Sequence, residues 1–205
     1  MANHWRWKRG WQPGRSSYAW HITFAGQQRV ADLAAECAAA LAGLPDLDIV
    51  PSRWLHLTMQ KVGFTDEVCR DDLDAILAAV RERCAALRPV TCTLGPVLAF
   101  SEAVLLPVAP VEPLRAIRSE IRAAMEKVWP AERVPGDADD FLPHVSVAYS
   151  RGTGPAGPVI EAARHATSSA EVVVDTVTLI ELNRDHEMWQ WTDLAQVPLG
   201  AREVP

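Results

Sequence analysis

Two short stretches decide how this chain is read: Trp54-Leu55-His56-Leu57-Thr58-Met59-Gln60 and Pro143-His144-Val145-Ser146-Val147-Ala148-Tyr149. Each is an apolar run that holds one histidine and, two positions on, one hydroxyl residue. Short apolar runs of this kind read as strands, and in a strand residues i and i+2 project from the same face. His56 therefore shares a face with Thr58, and His144 with Ser146. One copy lies in each half of the chain, and each puts an imidazole beside a hydroxyl on a rigid element. Two facing imidazoles can serve as base and acid, while two hydroxyls can hold an anion between them.

The chain has six histidines, and four of them are followed two positions on by Ser or Thr: His21, His56, His144 and His165. The fourth, followed by Ala166-Thr167-Ser168, sits at the end of an expected helix and is set aside. A lone strand histidine is more often a hydrogen-bonded structural residue than a catalyst. A matched pair in two apolar settings points instead to chemistry.

The pair resembles the signature of the 2H phosphoesterase superfamily, which includes bacterial 2'-5' RNA ligase-like proteins and 2',3'-cyclic nucleotide phosphodiesterases. That signature is two His-h-Thr/Ser-h motifs, h being apolar, and here it reads His56-Leu57-Thr58-Met59 and His144-Val145-Ser146-Val147. Phe141-Leu142-Pro143 before the second copy and Tyr149 after it are also frequent in that family. The resemblance spans roughly residues 17 to 197. It implies a bilobal α+β fold with the motif strands facing each other across a cleft.

Outward from the motifs, composition sets bounds. The 205 residues suit one large domain or two fused lobes, and 49% hydrophobic with 22% charged residues is ordinary for a globular protein. No apolar run approaches the length of a membrane helix, so no membrane partner is expected. No apolar core follows the N-terminal charges, which argues against a secretory signal. Cys37, Cys69, Cys84 and Cys92 are scattered without a CxxC pair and read as reduced thiols of a cytoplasmic protein. The net charge of -6 implies no general affinity for nucleic acid. Residues 1 to 31, however, contain no acid and interleave Arg6, Lys8, Arg9, Arg15 and Arg29 with Trp5, Trp7 and Trp11. Residues 1 to 16 therefore read as a basic, Trp-rich arm that either grips RNA by phosphate contact and base stacking or packs onto the domain of residues 17 to 205.

Tyr18 to Phe24 reads as the first strand, with Ala19, His21 and Thr23 on the face opposite its bulky residues, so His21 is a third candidate ligand. A helix follows with Val30, Leu33, Ala34, Cys37 and Leu41 on one side, stopped by Gly43. Gln60 shares the parity of His56 and Thr58 and is expected to border the cleft, and Lys61 to Phe64 reads as a loop. Thr65 is a candidate cap for a helix whose apolar face runs Leu73, Ile76, Leu77, Val80, Cys84, Leu87. Residues 90 to 98 and 103 to 108 read as strands. Pro110 opens an amphipathic helix that Pro130 ends. The acidic segment 130 to 142, with Asp137, Asp139 and Asp140, lacks the spacing of a calcium loop and reads as solvated. A short helix near 156 to 166 precedes two long strand runs, about 171 to 182 and 187 to 197.

These elements predict an α+β protein of two lobes, each an antiparallel sheet with helices outside and an active cleft between. The expected activity is metal-independent hydrolysis of a 2',3'-cyclic phosphate on an RNA end or nucleotide. His56, Thr58, His144 and Ser146 carry the chemistry, and Tyr149, His21 and Gln60 bind substrate. No cofactor or metal is called for, and a monomer is expected. The alternatives are 2'-5' RNA ligation, hydrolysis of another cyclic phosphate such as ADP-ribose cyclic phosphate or a cyclic oligonucleotide, and RNA binding without chemistry.

Overall fold

The computed structural model describes residues 1–137 and 139–200. Ala138, in the acidic segment, and residues 201–205, assigned above to the end of the domain, lie outside the described residues. The elements run β1 (Ser17–Thr23), α1 (Gln28–Ala40), β2 (Leu47–Ile49), β3 (His56–Phe64), α2 (Arg70–Cys84), β4 (Val90–Leu94), β5 (Leu98–Ala99), β6 (Ala103–Ala109) and α3 (Val111–Glu126). They continue with β7 (His144–Ser150), α4 (Gly157–Ala163), β8 (Ala170–Val174), β9 (Thr176–Asn183) and β10 (Gln190–Pro198).

Two antiparallel sheets result. A four-stranded sheet in the order β10-β9-β1-β3 carries the first motif, and a six-stranded sheet in the order β2-β7-β6-β4-β8, with β5 beside β6, carries the second. α2 and α3 pack together over the first sheet, against β10 and β3, while α1 lies on β7 and β8 and α4 on β5. The expected α+β fold of two sheets and outer helices is what the chain adopts. One continuous core joins the sheets: Leu57, Met59 and Leu179 of the first and Leu106, Val145 and Val147 of the second belong to the same cluster. Enclosing each such side chain is worth roughly 1.5–3 kcal/mol. Among the described residues no helix is long and apolar enough to cross a membrane.

The lobes are interleaved along the chain. The first sheet takes β1 and β3 from the beginning and β9 and β10 from the end. The expected strand at 171 to 182 is therefore two: Ala170–Val174 alternates buried and exposed residues within the second sheet, Thr176–Asn183 joins the first, and Asp175 alone separates them. The run expected at 90 to 98 breaks at Gly95, whose φ of 98° and closeness to the Ser168 carbonyl, 2.9 Å from an added Cβ, admit no side chain. Thr65 does not cap α2. Its hydroxyl donates to the Ser16 carbonyl, and the Cys69 sulfur takes the cap position by accepting from Asp72 N–H. Lys61 to Phe64 is not a loop but the continuation of β3 along β1.

Candidate active site

Both motif histidines begin a strand, and both are held the same way. His56 Nδ1 lies 2.9 Å from the Trp54 carbonyl and His144 Nδ1 lies 2.8 Å from the Leu142 carbonyl, in each case two residues back. A carbonyl only accepts, so Nδ1 carries the proton and donates, and Nε2 is the nitrogen left for chemistry. The two imidazoles, Thr58 and Ser146 line one cavity of about 530 Å³ between the sheets. Thr58 is exposed to it, and Ser146 and His56 are buried in its wall.

Strand alternation explains the first two positions of each motif and then breaks. On β3, the register with β1 skips Met59 between the pairs Trp20↔Gln60 and His21↔Thr58. On β7, the register with β6 skips Val147 between Val104↔Ala148 and Leu105↔Ser146. A bulge after each motif hydroxyl thus shifts the strand by one residue and turns the fifth position after each histidine toward the cleft. Those positions are Lys61 and Tyr149, and both line the cavity. Gln60, expected at the border by parity, does not line it. Its amide donates to the Pro135 carbonyl (2.7 Å) and its oxygen accepts from Arg122 (3.2 Å). The carbonyl of the bulged Met59 accepts from buried Arg118 at 3.1 Å. Arginines of α3 thereby hold the distortion from behind.

His21 faces the cleft, as the odd positions of β1 do, while Trp20 and Ile22 enter the core. Only 1% exposed, it stacks on His56 and places Nε2 3.3 Å from Thr58 Oγ1. Its Nδ1 is buried and has no hydrogen-bond partner among the described residues. Tyr149 is buried, lines the cavity, and has the Ser146 side chain near enough to bear on its phenol. Each motif hydroxyl therefore has a second polar side chain beside it, His21 for Thr58 and Tyr149 for Ser146. Trp191 packs edge-on against both stacked rings, with its ring centroid 5.1 Å from His56 and 5.7 Å from His21.

Burial sets the protonation states. Desolvation lowers His56 to about 4, partly countered by the Trp54 carbonyl and reinforced by the charge of nearby His144. Desolvation also holds His21 well below its ordinary value, with His56 adding to the effect. Burial pushes the Tyr149 phenol up to about 12, so it remains a proton donor.

Residues 1 to 16 lie along the body. Ala2 N–H bonds the Ser101 carbonyl, His4 N–H that of Ser150, and the buried Trp5 donates from Nε1 to Asp48 at 2.8 Å. His4 stacks on Tyr149 at 4.2 Å and accepts from Trp189 Nε1 at 2.9 Å. Desolvation is the first cause lowering His4 to about 4. His4, Lys8, Arg9 and Trp11 then form one side of the cavity, facing Phe64 and Trp189. His4, Phe64, Trp189 and Trp191 were not legible as site residues. No motif marks them, and their places follow from how the two ends of the chain meet.

Over residues 44–186 the sequence matches the model of a family described as the 2'-5' RNA ligase superfamily. No curated protein matches the chain. Solved structures with the same fold include the TT0787 protein of Thermus thermophilus, with 20% identity over 92% of this chain and all of that one and a TM-score of 0.68. A second is E. coli LigT complexed with NADP+, at 15% identity, 91% and 99% coverage and a TM-score of 0.67. A third is the MHV ns2 PDE domain, at 10% identity, 90% and 100% coverage and a TM-score of 0.55.

Proposed function

Since this chain belongs to the 2'-5' RNA ligase superfamily, we propose that it is a phosphodiesterase that hydrolyses a 2',3'-cyclic phosphate on an RNA end or nucleotide without a metal. The observation that carries this reading is the matched presentation of His56 and His144. Both spend Nδ1 on a backbone carbonyl and leave Nε2 for the same cavity, each beside a hydroxyl.

His56, kept neutral by burial, is the base. Its Nε2 takes a proton from water as the water oxygen attacks phosphorus. The bond from phosphorus to one ribose oxygen breaks, and His144, the more exposed of the two, gives that oxygen a proton from Nε2. Thr58 and Ser146 donate to the non-bridging oxygens, where negative charge concentrates. His21 and Tyr149 are positioning residues. A proton donated by His21 Nε2–H to Thr58 Oγ1 leaves the threonine's own proton for the phosphate, and Tyr149 packs beside Ser146. This tautomer of His21 leaves a bare nitrogen, rather than an N–H, without a partner inside the protein.

The deciding experiment is a panel of cyclic phosphates incubated with the protein and EDTA, with product isomers identified. A single 2'- or 3'-phosphomonoester formed at an undiminished rate in chelator is the expected result. Loss of turnover on chelation, restored by one added metal, would overturn the metal-free scheme. Joining of a cyclic end to a 5'-hydroxyl with no hydrolysis would make the protein a ligase.

A further inference from the structure

The cavity is larger than a phosphate needs, and its far side is basic and aromatic. Arg9 and Lys61 both line it, both are exposed, and among the described residues neither side chain has an ion pair or hydrogen bond. The other charged groups there are engaged: Lys8 pairs with Glu102 at 3.3 Å, and Glu67 pairs with Arg15 at 2.6 Å. Aromatic rings share the cavity with Arg9 and Lys61. Trp11 lies edge-on to Phe64 at 5.1 Å and to Trp189 at 5.4 Å, and all three line the cavity. Lys61 comes from the bulged strand of the first motif and Arg9 from the N-terminal arm, so the two cations reach the cavity from different parts of the chain.

We propose that Arg9 and Lys61 form a second anion subsite that binds the phosphate on the 5' side of the nucleotide being processed, with Trp11 as the platform for a base. This rests on the cyclic-phosphate reading of the motif site. A nucleotide ending in a 2',3'-cyclic phosphate carries nothing beyond that phosphate, so a second phosphate can only hang from its 5' carbon. Arg and Lys meet phosphate oxygens by charge-assisted hydrogen bonds, and an indole face takes any base. The anion is either a 5'-phosphomonoester or the phosphodiester of a longer RNA, and both present the same oxygens.

The test is a binding comparison that needs no turnover. Titration calorimetry at low salt compares adenosine 3'-monophosphate, adenosine 3',5'-bisphosphate and a diadenosine dinucleotide ending in a 3'-phosphate. The bisphosphate is expected to bind about tenfold more tightly than the monophosphate, the worth of one charge-assisted contact. Arg9→Ala combined with Lys61→Ala brings the two ligands to the same affinity, and rising salt does so in the unaltered protein. Trp11→Ala weakens every nucleotide but not inorganic phosphate. A dinucleotide tighter still than the bisphosphate identifies RNA ends as the source of the anion, and one weaker than it identifies free nucleotides. Equal binding of mono- and bisphosphate by the unaltered protein, an advantage that survives in the double variant, or no binding of either ligand would overturn the subsite. Absence of hydrolysis of every cyclic phosphate would instead sink the activity, and the binding comparison would still decide the subsite.

Discussion

The imidazoles of His21 and His56 lie face to face, with ring centroids 4.4 Å apart and planes within 5° of parallel. Both rings are buried, and a proton on either one is opposed first by desolvation, with His56 adding to the effect on His21 and His144 to that on His56. Burial thus keeps two neutral imidazoles at the base of the first motif, one with Nε2 left to the cavity and one with Nε2 on Thr58.

If His21 acts through Thr58, the two side chains are coupled. His21→Phe preserves a flat ring against His56 and removes the hydrogen bond. It is expected to lower kcat about tenfold at unchanged KM, near the upper worth of one neutral hydrogen bond. In a Thr58→Val background the same change should cost nothing more. Equal losses in both backgrounds would show that His21 works through the stack alone.

His56→Ala and His144→Ala should each remove on the order of 10²–10⁴-fold in turnover on the best cyclic phosphate, the usual share of one proton-transfer group. Thr58→Val and Ser146→Ala should cost roughly 10²–10³-fold, as single donors to developing oxyanion charge do. Circular dichroism and melting should be preserved in the Thr58 variant, because that side chain is exposed. Retention of near-normal rates by either histidine variant would contradict the paired acid-base scheme.

The pH profile follows from the direction of the His56 shift. Lowered to about 4, His56 remains neutral far into acid, so kcat/KM should hold its base-dependent limb down to about pH 4 and fall below it. A limb centred instead near 6.5 would mean that a histidine in an ordinary environment is the base.

Stability should also respond to acid. His4 and His56 are lowered to about 4 in the folded protein and His21 lies well below its ordinary value, whereas all three titrate near 6.5 when unfolded. As pH falls below 6.5 the unfolded chain takes up protons that the folded chain refuses, so this stability is complete above 6.5 and drains toward pH 4. Each such group can contribute up to about 1.4 kcal/mol per pH unit. Tm measured from pH 7 to pH 5 should fall, and His21→Phe should flatten the slope. An unchanged Tm across that interval would show that these rings are not buried as neutral groups.

Much of the site could be read because alternation is a short-range rule. His56 with Thr58, His144 with Ser146, and the odd face of β1 carrying His21 all follow from i and i+2 on one strand. The rule fails one residue later, where Met59 and Val147 are extruded from their ladders. What holds the first bulge is Arg118 and Arg122 on α3, about 60 residues away in the chain, and no local pattern announces such a partner. Lys61 was hidden for that reason, and Gln60 misplaced. The sheets themselves were legible as strands but not as neighbours. Nothing in residues 170 to 183 says that Asp175 divides one lobe from the other, since both flanks read as strand.

The interleaving of the lobes has a consequence for synthesis. β1 is an inner strand of its sheet, paired to β3 on one side and to β9 on the other. While the chain is being made, β3 emerges early, but the β9 edge stays unpaired until residues 176–183 have left the ribosome. His21 sits on that half-finished strand, and Trp191, which packs edge-on against the histidine stack, arrives later still on β10. Contacts of such long sequence separation slow folding, because loop closure is paid before pairing rewards it. The nascent protein thus carries an open sheet edge until β9 is made, and the candidate pocket cannot be complete before β10 follows it.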